Sequence, residues 1–82
     1  MMERLYRTIV KPRDGVIEGI LMGCCQHTPK ATEYEDGSCA LDVITDIYSY
    51  EAFKNVLAER KRRGVKDAHV EFDIFNKPKS ID

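Results

Sequence analysis

The sequence predicts a small α+β domain: a four-stranded, mostly antiparallel sheet in the order β-β-β-α-β, with one helix packed on one face. Three observations carry this prediction. Residues 39–47 alternate, with Cys39, Leu41, Val43, Thr45 and Ile47 on one side and Ala40, Asp42, Ile44 and Asp46 on the other. Residues 68–75 alternate again, with Ala68, Val70, Phe72 and Ile74 against His69, Glu71 and Asp73. Between these runs, residues 49–64 carry a helical pattern with a start and a stop signal.

The first strand spans residues 4–10, which are rich in β-branched and aromatic side chains. Asp14-Gly15 follows, the preferred centre of a tight hairpin turn because both residue types tolerate positive φ. A returning strand over 16–25 pairs Ile9 with Ile20 and lays Tyr6 over Gly23, an aromatic covering a cross-strand glycine. The competing reading is a helix with Ile17, Ile20, Leu21 and Cys24 at helical spacing; Gly19 and Gly23 weigh against it at about 1 kcal/mol each. Residues 28–37 are polar, contain Pro29 and Gly37, and read as a loop. In the helix, Ser49 caps, and Phe53, Val56 and Leu57 form the buried stripe. Arg60, Lys61, Arg62 and Arg63 crowd the carbonyl end, where cations are favoured, and Gly64 stops it. The crossover from residue 47 to residue 68 makes the last strand run parallel to the third. Residues 1–75 form the one domain that 82 residues allow, with 76–82 as a flexible tail.

One helix covers one sheet face. The covered face is assigned Leu5, Ile9, Ile20, Met22, Leu41, Val43, Val70 and Phe72, leaving Tyr6, Thr8, Val10, Ile17, Leu21 and Ile44 facing solvent, with Tyr48 at the border. An apolar patch of that size marks an interface. Charge is segregated although the net charge is only −1. Residues 31–53 hold six acids and no Lys or Arg, while 54–66 hold six basic residues against Glu59 alone. The first functional expectation is therefore a non-catalytic protein–protein interaction module, of the inhibitor or accessory-subunit type common among phage and mobile-element proteins. Its contact residues are Tyr6, Val10, Ile17, Leu21, Ile44 and Tyr48, with Glu33, Glu35 and Asp36 steering a basic partner. The partner is another protein, a second copy in a homodimer, or both.

The alternatives rest on two clusters. Arg60, Lys61, Arg62 and Arg63 could contact phosphate as nucleic-acid-binding helices do, although the domain is not basic and carries no known nucleic-acid motif. Cys24, Cys25, His27 and Cys39 are zinc-ligand types. Adjacent cysteines do not have ligand spacing, so a metal site reduces to Cys25, His27 and Cys39 with a fourth ligand, and otherwise no cofactor is expected. The third reading is a thiol enzyme with Cys25 activated by His27 and oriented by Asp42 or Glu35. Locally, Tyr34 to Asp42 resembles the self-cleavage segment of bacterial aspartate α-decarboxylases. The resemblance covers nine residues and implies Ser38 as the processed residue; Asp36 is an insertion, and the chain is too short for that family's barrel. The N-terminus lacks a signal-peptide apolar run, and the odd cysteine count fits a reducing compartment, so a cytoplasmic location is expected.

Overall fold

The structure is a computed structural model and describes residues 2–72. Its elements are β1 (Glu3–Lys11), α1 (Gly15–Cys25), β2 (Lys30–Glu33), β3 (Cys39–Asp46), α2 (Ile47–Arg62) and β4 (His69–Glu71). The expected strand end at 73–75 and the tail 76–82 lie outside the described residues.

The α+β class and the four-stranded antiparallel sheet are as the sequence predicts, but there are two helices rather than one. Residues 15–25 form α1, not a returning strand. Asp14 does not enter a hairpin turn; it is extended, and its carboxylate accepts a hydrogen bond from Val16 N at 2.9 Å, capping the helix. Ile17, Leu21 and Cys25, four residues apart, are all buried on one stripe, while Gly19 and Gly23 lie on the exposed side. The burial of three large or soft side chains outweighs the propensity cost of two glycines. Gln26, at φ 58°, ends the helix and donates its N–H to Met22 O.

The stretch read as a loop contains β2, a short edge strand whose Lys30 and Thr32 pair with Asp42 and Ala40. The turn after it is closed by Gly37 at φ 89° and by Asp36, which accepts from Ser38 N at 2.9 Å and Ser38 Oγ at 2.6 Å. The second helix starts two residues earlier than Ser49. Asp46 is its cap, accepting from Ser49 N at 2.7 Å. Its buried stripe is Tyr50, Phe53 and Leu57; Val56 is largely outside.

The sheet order is β2-β3-β1-β4, with every neighbouring pair antiparallel. It follows that β3 and β4 run the same way, as the crossover predicts, with β1 inserted between them. The same holds for β1 and β2 around β3. These are two interleaved split βαβ units, the ferredoxin-like arrangement.

Both helices pack on one face of the sheet. Tyr6, Val10, Cys39, Leu41 and Val43 point into a single core with Ile17, Leu21, Cys25, Tyr50, Phe53 and Leu57. Tyr6 stacks on Tyr50 with ring centroids 4.3 Å apart, and Thr8 Oγ1 shares a 2.7 Å buried hydrogen bond with Tyr50 Oη. Phe72 closes the cluster edge-on against Tyr50 and Phe53. No described helix is long and apolar enough to cross a membrane.

Candidate functional site: the uncovered sheet face

With both helices on one side, the other face of the sheet carries no helix among the described residues. Side chains alternate along a strand, so the burial of Tyr6, Thr8 and Val10 decides which β1 residues lie on that outer face. They are Glu3, Leu5, Arg7, Ile9 and Lys11, beside Ile44, Asp42 and Ala40 on β3. Lys30 and Thr32 of β2 and His69 and Glu71 of β4 flank them.

The centre of the face is a salt bridge. Arg7 and Asp42 sit opposite each other across β1 and β3, and the guanidinium meets the carboxylate in a two-point fork, Nε–Oδ1 2.7 Å and Nη2–Oδ2 2.8 Å. These hydrogen bonds hold the Arg7 pKa above its ordinary value. On one side of the fork, Leu5 and Ile44 are cross-strand neighbours and protrude, 38% and 57% exposed. Ile47, Tyr48 and Met2 continue the apolar surface around the same end. On the other side, Ile9 is half-buried and Ala40 fully buried, so that end offers little accessible surface.

A sheet face with apolar residues and no helix on it among the described residues is therefore present, but with a different membership from the one the sequence suggests. Tyr6, Val10, Ile17 and Leu21 are 0–2% exposed and belong to the core. Only Ile44 and Tyr48 of the six apolar contact residues reach solvent. Leu5 and Ile9, expected beneath the helix, are on the outer face. β1 carries apolar residues on both sides, so alternation alone does not choose between them. The signal that decides is Arg7, which shares a side with Leu5 and Ile9, and arginine is almost never buried under a helix. Its cross-strand match to Asp42 points the same way.

The acidic segment is partly committed to internal contacts. Arg13 bridges to Glu18 at 2.9 Å and Glu33 at 3.4 Å, Lys11 lies 3.7 Å from Asp36, and Arg13 N donates to Gly37 O. These bonds clip the β2–β3 turn to the β1–α1 connection. Hydrogen bonds from Ser38, and Lys11 to a smaller degree, hold the Asp36 carboxyl below its usual range. Glu35 is exposed.

The basic run is also occupied. Arg60 forks onto Asp67 at 2.8 Å through both contacts, and Glu59 bridges both Arg62 and Arg63, leaving Lys61 as the member with no ion pair among the described residues. Arg62 and Arg63 nevertheless remain 72% and 75% exposed, and such surface pairs are weak. The outer face of β1 and β3 presents no aromatic ring among the described residues. Four-stranded sheets that bind single strands stack bases on aromatic rings, whereas the central strands here present Leu5, Arg7, Ile9, Ala40, Asp42 and Ile44.

The cysteine and histidine cluster is dispersed. Cys39 faces the core from β3, Cys25 is buried on the inner stripe of α1, Cys24 is half-buried, and His27 is exposed after the helix end. Cys25 was expected beside His27 on the open face; because the segment is a helix, it turns inward instead. Among the described residues no three His, Cys, Asp or Glu side chains are grouped to hold a metal, so the Cys25, His27 and Cys39 site does not form. Burial pushes all three thiols up, the opposite of what a nucleophilic thiolate needs. Ser38 is buried in a turn, with its hydroxyl donated to Asp36, in a sheet-and-helix fold rather than a barrel. No family model, curated protein or solved structure matches the chain.

Proposed function

We propose that this chain is a non-catalytic protein-interaction module that works through its uncovered sheet face, in the manner of a small inhibitor or accessory subunit. The observation that carries the reading is the exposed Leu5–Ile44 pair on a face that neither helix covers, next to a charge pair already neutralised in place. Leu5 and Ile44 are the apolar groups such a contact buries, and because Arg7 is already paired with Asp42 beside them, no unpaired charge is desolvated with them. The odd count of three cysteines supports a reducing, cytoplasmic setting.

Ile44→Asp tests the reading. The variant keeps the wild-type circular dichroism spectrum. It loses the association that the wild-type chain shows by light scattering with itself, or by affinity capture with a protein from its native cells. If wild type and variant behave alike in both assays, the face is not the contact surface.

A further inference from the structure

We infer that the occupant of the sheet face is a second copy of this chain, docked about a two-fold axis running across the strands at the level of Arg7 and Asp42. This rests on the reading of the face as a contact surface and names what meets it.

The outer residues of β1 read Glu3, Leu5, Arg7, Ile9, Lys11. Around Arg7, which Asp42 neutralises, the pattern is symmetric in apolar character and opposite in charge. A two-fold axis across the strands exchanges the two ends. It sets Glu3 against the partner's Lys11 and Leu5 against the partner's Ile9, with each Arg7–Asp42 pair meeting the other on the axis; Ala40, 0% exposed, takes no part in the contact. Lys11 is available for this contact, because its bond to Asp36 is long and leaves its side chain 56% exposed. Lys30 lies level with the axis but on the edge strand, where its ammonium reaches water.

A two-fold axis along the strands fits worse. It would set Arg7 over the partner's Asp42, but it would also place Glu3 over the partner's Asp46 and stack the protruding Leu5–Ile44 end on itself. The size is adequate but modest. Strands of nine, eight, four and three residues, at ~3.3 Å per residue and ~4.8 Å apart, cover roughly 400 Å² of projected face per copy. Two corrugated faces of that size bury on the order of 1,000 Å², the lower end for a specific interface.

Sedimentation equilibrium of the full chain tests the geometry through charge exchange. The wild type forms a dimer. Glu3→Lys and Lys11→Glu each weaken it about tenfold, because every such dimer then has two like-charged contacts. An equimolar mixture of the two variants associates as wild type does, since only the mixed pair presents opposite charges at both ends. Glu3→Gln and Lys11→Gln act in the same direction with a smaller effect and little risk to folding. A monomeric wild type at several hundred micromolar overturns the inference, as does a mixture that associates no better than its components. If that monomer still captures another protein and Ile44→Asp abolishes the capture, only the identity of the occupant is wrong. A dimer that Ile44→Asp leaves intact places the interface elsewhere, and the sheet-face reading then fails with the inference.

Discussion

Leu21→Asp unfolds this domain, whereas Ile44→Asp leaves it folded. Leu21 is 0% exposed on the inner stripe of α1, between Ile17 and Cys25 and against the sheet. Cutting a buried leucine back to alanine costs about 2.7–5 kcal/mol in transfer and cavity terms. An aspartate at the same place adds several kcal/mol more, because neither its charged nor its neutral form finds a ready partner among apolar side chains. A domain of 82 residues has on the order of 4–12 kcal/mol in total. The substitution therefore removes most or all of the folded population. Ile44 is 57% exposed, and an aspartate there forfeits little more than strand preference, up to about 1 kcal/mol. Urea unfolding followed by far-ultraviolet circular dichroism separates the two. Ile44→Asp moves the midpoint by less than about 1 M with an unchanged slope, and Leu21→Asp shows no folded baseline. A native spectrum for Leu21→Asp would refute the placement of α1 against the sheet, since a solvent-facing residue 21 is what the hairpin alternative requires.

Two further outcomes follow from the same packing. Gly19→Ala and Gly23→Ala each stabilise the protein by roughly 1 kcal/mol in thermal or urea unfolding, because a Cβ at either position meets nothing within 4 Å on the exposed side of α1. A loss of stability at Gly23 would instead support an aromatic ring lying over that glycine. The second outcome concerns Asp67, whose carboxyl is held below its usual range chiefly by the Arg60 hydrogen bonds. A group whose folded pKa is depressed contributes stability that is present above its unfolded pKa of about 3.9 and lost as pH falls through the folded value. Asp67→Asn should therefore lower stability by a constant amount near neutral pH, and the gap to wild type should close below about pH 4. A gap that persists unchanged at pH 2.5 would mean that the ion pair is not its source.

Several features were legible from composition and spacing alone. The alternation of 39–47 and the apolar stripe of 49–64 locate β3 and α2 to within two residues, although the cap is Asp46 rather than Ser49. That one sheet face carries no helix among the described residues was legible too. β2 was not, because an edge strand of Lys30, Ala31, Thr32 and Glu33 buries little and reads as polar loop until β3 pairs with it.

The harder division lies in residues 14–25. Their apolar residues satisfy both a strand and a helix period, and Asp14-Gly15 serves equally as a turn centre or as a cap and first helical residue. The sequence by itself determined a single α+β domain with an antiparallel sheet. Only the tertiary structure decided that 15–25 is helical, because burying Ile17, Leu21 and Cys25 together requires the core that Tyr50, Phe53 and the inner face of β1 and β3 provide. That choice also settled the outer face. Once Tyr6 stacks on Tyr50, the pleat sends Leu5, Arg7 and Ile9 to the other side, and the outer face is built from residues whose side alternation could not assign.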